Sequence, residues 1–264
     1  MSYSSPLYEN EIIIDESTPI IGGGGLELPT PHVRKAFRAG NTGFCKSFDI
    51  PTFSREEIRE RIKEREQRGA ILSQIVKNKK IPTSDQNGIN FCWTYGVVTA
   101  VNVMRALRSI PYVEFSRESV AAPVKGYRNN GGWGDEALQY MVKVGIMPQS
   151  LWPKHYYQSN KYNTPDNLAV AAKYKIDEFL IFESGNFLQQ MTGLLLDYPL
   201  AMGLSWWSHE ICGIDPVIIG STDLGIRIWN SWTETYGTGG MSILSESKAT
   251  ADDCVSPVTQ TLTE

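Results

Sequence analysis

The sequence predicts an α+β protein in two lobes, helix-rich in the first part and strand-rich after Tyr198. The helical signals fall between residues 54 and 197, where apolar residues recur at helical spacing and caps are recognisable. Beyond Tyr198 the stretches LAMGLSWW, EICGIDPVII, GIRIWNSW and GGMSIL read as strands separated by Gly, Asp, Ser and Thr turns. A chain of 264 residues with 41% hydrophobic and 20% charged residues is long enough to bury a sizeable core.

Residues 1–33 read as an extended arm in which EIII pairs as a short strand and Gly22 to Gly25 form a flexible break. That glycine run is not a phosphate loop, because no Gly-Lys-Ser/Thr follows it. The arm holds five acids (Glu9, Glu11, Asp15, Glu16, Glu27) and no Lys or Arg, whereas residues 34–80 hold 13 basic and 6 acidic residues. Two readings stand: the basic run is a solvated helical face, or the acidic arm docks on it, in its own chain or a neighbour's. Within that run, SREEIRERIKEREQRG is a surface helix with Ser54 and Glu57 in capping-box spacing, Glu57–Arg61 and Glu64–Arg68 pairs, and Gly69 at its end.

The next helix starts at or near Cys92 and runs to about Arg108, ahead of Pro111. Trp93, Val97, Val101, Met104 and Leu107 recur at helical spacing, Ala100 adds to the same face, and this apolar content makes the helix central. Further helices are expected over residues 135–144, closed by Gly145, from Pro165 after Thr164, and over residues 187–197.

A formal net charge of −4 gives no reason to expect a nucleic acid partner. No apolar stretch approaches 18 residues, so no membrane span is expected, and the N-terminus lacks a secretory pattern. Cys45, Cys92, Cys212 and Cys254 show no close pairing, which fits a reducing compartment, cytoplasmic or within a viral particle.

Cys92 alone reads as a small buried hydrophobe. At a helix N-terminus it also feels the positive end of the macrodipole, which favours a thiolate. Such a nucleophile needs a base, and of His32, His155 and His209 only His209 sits between strand patterns with an amide, Asn230, 21 residues later at the end of the next strand. Cysteine, histidine and amide then supply nucleophile, base and a group that fixes the base's tautomer. Gln86, six residues before Cys92, is placed to donate with the Cys92 amide to a developing oxyanion. His209 and Cys212 are not a zinc pair, because two further ligands are missing and a three-residue step along a strand puts them on opposite faces. No metal or cofactor is expected. Trp206 and Trp207 should alternate, one facing the core and one lining the cleft beside His209.

QNGINFCWTYG, NNGGWGDEALQY, SHEICGIDPV and IWNSWTETYGTGGMSIL together resemble the papain family of cysteine peptidases over residues 68–245, about two-thirds of the chain. The resemblance implies a papain-like two-lobed fold with a cleft between the lobes. It implies Gln86 as the oxyanion glutamine, Cys92 as nucleophile, His209 as its imidazole partner, Asn230 as orienter and Trp232 as a shield of the Asn–His bond. Gly131 and Gly132 match the pair whose backbone holds an extended substrate, with Trp133 on the subsite wall. Ile89 and Asn129 stand where secreted members have a disulfide. Asn90 and Phe91 replace small residues, narrowing the approach to the first subsite, and Thr233 replaces a glycine. The Cys92-to-His209 spacing of 117 is short for the family.

The expected division is an acidic arm (1–33), a basic helical segment (34–80) and a papain-like catalytic domain (81–264), its helical lobe about 81–160 and its β-rich lobe about 161–264. The expected reaction is peptide-bond hydrolysis through an acyl-enzyme, with a peptide or protein as substrate. The arm is read as an attachment or lid element, able to mediate self-association, and control by pro-segment removal is not expected. Two alternatives remain. One is a papain-fold subunit of a larger assembly such as a phage virion, since compact members without pro-segments occur in bacterial and phage proteins. The other is a transglutaminase-like acyltransferase using Asp215 or Asp223 in place of Asn230.

Overall fold

The computed structural model describes Tyr8, residues 10–20 and residues 22–258; Glu9, one of the five arm acids, lies outside the described residues. In chain order the first elements are β1 (Ile13–Ile14), α1 (Pro31–Ala39), β2 (Cys45–Ser47), α2 (Arg55–Gln67), α3 (Leu72–Asn78), α4 (Cys92–Leu107), α5 (Glu118–Val124), α6 (Gly134–Lys143) and α7 (Pro165–Ala171). They are followed by β3 (Phe179–Ile181), α8 (Phe187–Leu195), β4 (Leu200–Leu204), β5 (His209–Ile219), β6 (Asp223–Trp229), β7 (Met241–Ser245), α9 (Glu246–Ala249) and β8 (Asp253–Pro257).

Local chemistry sets the helix starts. Ser54 Oγ accepts from the Glu57 amide at 3.2 Å to open α2, and Thr164 Oγ1 accepts from the Asn167 amide at 3.3 Å to open α7 with Pro165 in its first turn. Among the described residues the strands form one sheet, ordered β1-β7-β6-β5-β4-β8-β3-β2. The pairs β1–β7 and β2–β3 run parallel and all others antiparallel. Both edges are short strands from the N-terminal part of the chain, which leaves little edge open to pairing.

Helix α4 is buried at every position from Cys92 to Ala106. On one side it meets Phe115, Leu138 and Met141 of the helical layer; on the other, Ala100 and Val103 join the sheet core of Met202, Ile211, Ile214 and Ile226. LAMGLSWW is not a strand to its end. The chain leaves β4 at Leu204, Trp206 and Trp207 sit in a short 3₁₀ turn, and Ser208 takes a left-handed φ of 48°. The expected alternation of the two tryptophans therefore gives way to a stacked pair, centroids 5.2 Å apart.

The arm's acids meet partners outside the basic segment. Glu11 pairs with Arg227 of β6, and Arg34 and Arg38 of the basic segment reach Asp135 and Asp253. Among the described residues no helix is long and apolar enough to cross a membrane.

Buried Asp215 of β5 ties the sheet to α3: its Oδ1 accepts from the Leu72 amide at 2.8 Å and the Ser73 amide at 3.3 Å, serving as a cap that Ile71 cannot supply. Asp215→Ala should lower the unfolding free energy by about 1–2 kcal/mol, the usual cost of a lost cap. Urea titration checks this, and the first-turn amides of α3 should exchange faster.

Candidate active site

The site forms where α4 and β5 begin side by side. A Cβ on Gly96 would lie 3.2 Å from the Ile211 carbonyl carbon, so the absence of a side chain lets helix backbone press against strand backbone. Cys92 is one helical turn before Gly96, about 6 Å along the axis, and His209 is two strand residues before Ile211, about 6.6 Å. Cys92 and His209 thus each lie a short step in sequence from the same contact. Gly24 spans the gap: its amide donates to Ser208 O at 2.8 Å and its carbonyl accepts from Cys92 Sγ at 3.5 Å.

His209 is fully buried, and its Nε2 lies 2.8 Å from Asn230 Oδ1. That carbonyl oxygen also accepts from the Ser231 amide at 2.8 Å, which fixes the amide orientation and makes His209 Nε2 the protonated nitrogen. His209 Nδ1 is then an acceptor and has no hydrogen-bond partner among the described residues. Trp232 lies over the imidazole, centroids 4.8 Å apart at 32°, and Trp207 meets it edge-on at 5.2 Å. Asp215 is occupied at α3, and Asp223 is exposed at the far end of the β5–β6 pair, so neither takes the place of Asn230.

Gln86 Oε1 accepts from Ser231 Oγ at 2.5 Å and its Nε2 donates to Ile89 O at 2.9 Å, leaving one N–H of the carboxamide for another acceptor. The Gln86 amide donates to Ser231 O at 2.9 Å, so one serine fixes both the glutamine and the asparagine. The sequence reading missed Ser231. His155 Nε2 lies 2.9 Å from Asp85 O, bracing the same loop, and His32 is exposed on α1.

The arm fills the cleft. The Gly132 amide donates to Gly25 O at 2.9 Å, the Glu27 amide donates to Gly132 O at 2.9 Å, and Leu26 and Gly132 form a parallel bridge. The Gly131 amide donates to Glu27 Oε1 at 3.2 Å, and Trp133 is covered by Phe37 of α1 at 5.1 Å. Gly22 to Gly25 all have φ between 71° and 107°. A Cβ on Gly23 would sit 2.1 Å from Trp207 O, one on Gly25 2.8 Å from the Asn90 carbonyl, and one on Gly22 2.7 Å from the Trp232 ring. Only glycine satisfies both the left-handed backbone and these walls. The run is a fitted strap and not the flexible break that composition suggests.

Burial works against charge on both groups. Burial pushes the Cys92 thiol above its ordinary range, the Glu210 charge adds to this, and nearby backbone amides oppose it less strongly. Burial pulls His209 down to about 4 against the opposing bond to Asn230. Burial therefore works against the charged form of both groups, and against the thiolate that the helix terminus favours.

The architecture is that of papain-like cysteine proteases. No family model matches the chain. It is 27% identical over 188 residues to Cysteine protease Amb a 11.0101 of Ambrosia artemisiifolia, across 62% of this chain and 47% of that protein, so it spans about half the length of this curated relative. Among solved structures it resembles procathepsin L 3 of Tenebrio molitor larval midgut, with TM-score 0.59 and 16% identity over 67% of this chain and 66% of that one. It also resembles Xylellain, a cysteine protease from Xylella fastidiosa, with TM-score 0.57 and 17% identity over 68% and 83% of the two chains. The bromelain protease from Ananas comosus in complex with the E64 inhibitor matches with TM-score 0.57 and 16% identity over 67% and 93%.

A histidine pKa of about 4 in the folded chain lies below that of a free imidazole, so the unfolded chain takes up this proton first as the pH falls. His209 then supports the fold fully above about pH 6.5 and loses its contribution as the pH falls toward 4, a span of about 3 kcal/mol. Urea unfolding at neutral pH and at about pH 4 should show that His209→Gln removes this part of the acid destabilisation.

Proposed function

We propose that this protein is a cysteine peptidase, working through Cys92, His209, Asn230 and Gln86, and that its own arm holds it closed. The observation that carries the reading is the shared fit of Gly24: one residue bonds Cys92 Sγ and the carbonyl of Ser208, which precedes an imidazole oriented by Asn230. Peptide backbone thus already lies between nucleophile and base.

The free lone pair of His209 Nδ1 is the proton acceptor the reaction needs. When the strap leaves and a substrate enters, the Cys92 proton moves to Nδ1, and the thiolate adds to the scissile carbonyl carbon. The developing oxyanion is taken by the spare N–H of Gln86 and the Cys92 amide, which has no partner within the first turn of its helix. His209 passes its proton to the leaving amine, and water, deprotonated by the same nitrogen, releases the acyl group. Trp232 over the ring keeps water from the Asn230 bond.

The closed reading rests on the strap's direction and pose. Gly24 O bonds the thiol itself, and the Gln86 carboxamide donates elsewhere, so this carbonyl is not seated for attack. Of the two readings of the arm, attachment or lid, the path of Gly22 to Glu27 supports the lid. The division into arm, basic segment and catalytic domain is kept with one change: the arm works as a plug and α1 as its clamp. The four cysteines, all free thiols, suit a reducing compartment.

Hydrolysis of a fluorogenic peptide mixture tests the reading. The full chain should be nearly inactive, and Gly23→Val, which cannot fit beside Trp207 O, should raise the rate. In that background Cys92→Ser should abolish turnover, and Gln86→Ala should lower it by about 10²-fold. A Gly23→Val chain that is folded and inactive on every peptide would overturn the peptidase.

A further inference from the structure

We propose that Asn87 and Gly88 form a self-modifying site: the Asn87 carboxamide is lost as ammonia, and the isoaspartate left in the backbone disarms Gln86, so that the protein runs down with age. The modification stands on its own, and its effect on turnover rests on the peptidase reading.

Asn87 and Gly88 are the central residues of a turn from Gln86 to Ile89. The Ile89 amide donates to Gln86 O at 3.1 Å, and the two central φ values are 46° and 72°. Two successive left-handed residues mark a type I′ turn, for which Asn-Gly is a preferred pair. The flanking Gln86 and Ile89 are 4% and 9% exposed, whereas Asn87 and Gly88 are both exposed. The backbone amide of Asn87 donates to Asp85 Oδ1 at 2.8 Å. Neither the Asn87 carboxamide nor the Gly88 amide has a hydrogen-bond partner among the described residues. A Cβ on Gly88 would meet nothing within 4 Å, so this face of the turn is open.

These two unengaged groups can react with each other. The Gly88 nitrogen adds to the side-chain carbonyl carbon of Asn87, and a C–N bond forms. The bond to the side-chain nitrogen breaks, and ammonia departs with the proton that the Gly88 nitrogen gives up. Water then opens the resulting five-membered imide. Opening at the side-chain carbonyl gives aspartate; opening at the main-chain carbonyl gives isoaspartate, whose backbone runs through the former side chain. Nothing is oxidised or reduced, and water is the only co-reactant. Glycine suits the step because no side chain shields its nitrogen and its backbone turns freely.

The chain contains a second Asn-Gly pair, Asn130 and Gly131, which serves as an internal contrast. Gly131 is buried, and its amide donates to Glu27 Oε1 at 3.2 Å. The nitrogen that must attack is therefore held there and free at Gly88. The fold, and not the dipeptide alone, selects residue 87.

The turn is tied to the proposed oxyanion donor at both ends. Gln86 Nε2 donates to Ile89 O at 2.9 Å, while Gln86 O accepts from the Ile89 amide. Isoaspartate lengthens the backbone between these residues by a methylene, which puts both bonds out of register. It also adds a carboxylate next to Gln86, where developing negative charge has to be stabilised. The bland alternative is that Asn87 serves only the left-handed turn, in which case its carboxamide survives.

The test incubates the full chain in warm, mildly alkaline buffer and follows both Asn-Gly sites by peptide mapping, with isoaspartate counted by enzymatic methyl transfer. Residue 87 should convert and residue 130 should lag several-fold behind. Survival of Asn87 after a synthetic SDQNGIN peptide has converted, or equal rates at the two sites, would overturn the proposal. Hydrogen exchange at the Ile89 amide should quicken in converted chains; unchanged exchange would contradict the disarming of Gln86. In the Gly23→Val chain, kcat should fall in proportion to isoaspartate at residue 87 with KM unchanged. Asn87→Gly, which keeps the left-handed backbone without the carboxamide, should hold its rate, and an equal decline in that variant would count against the run-down. Mapping and exchange do not depend on catalysis, so their failure sinks this proposal alone, whereas failure to cleave any peptide sinks the peptidase reading.

Discussion

The close approach of α4 to β5 at Gly96 and Ile211 governs the rest of the molecule. It holds the start of α4, which carries Cys92, against the start of β5, which carries His209. Everything that orients the imidazole then hangs on the neighbouring strand. Asn230 lies just past the end of β6, Ser231 fixes both Asn230 and Gln86, and the Asp85–Trp232 bridge fastens the loop before α4 to the same place. A buried helix gripped by hydrophobic contacts on both faces gives these small polar bonds a rigid frame.

Within that frame the arm determines the chemistry available. Glycine backbone of the arm lies against Cys92, both thiol and imidazole are buried, and desolvation disfavours the charged form of each. An ion pair is favourable only when attraction between the partners and access to polar groups outweigh that penalty. On the proposed reading the strap blocks the site by occupying it, while burial works against the charged form of the proposed pair. Its hold is mostly backbone hydrogen bonding at Gly132 and Ser208, reinforced by the guanidinium groups of α1 on Asp135 and Asp253.

Much of this was legible in the sequence, and the parts that were not share a physical cause. Helices α2, α4, α6, α7 and α8 announce themselves through caps and apolar spacing, and their bounds differ from expectation by a residue or two. Cys92, Gln86, His209 and Asn230 stand out because the roles proposed for them demand particular residue types at the starts and ends of regular elements. The path of the arm was hidden, since a glycine run carries no periodicity and has the composition of a linker whether or not it is held. A long-range pair such as Glu11 with Arg227 leaves no local trace. Strand β5 was equally silent: it is buried on both faces, so alternation along HEICGIDPV does not distinguish one face from the other. The turn at Ser205 to Trp207 broke the strand pattern where a left-handed Ser208 reverses the chain.

The central claim is that Cys92 becomes a thiolate only when it shares a proton with His209 in an open cleft. The most direct measurement is the pH dependence of Cys92 alkylation in the Gly23→Val chain, read by mass spectrometry of the Cys92 peptide, with and without His209→Ala. The account predicts alkylation that persists well below the pKa of a free thiol, about 8.5, and that retreats to alkaline pH when His209 is removed. An alkaline-only profile that is the same with or without the imidazole would contradict it.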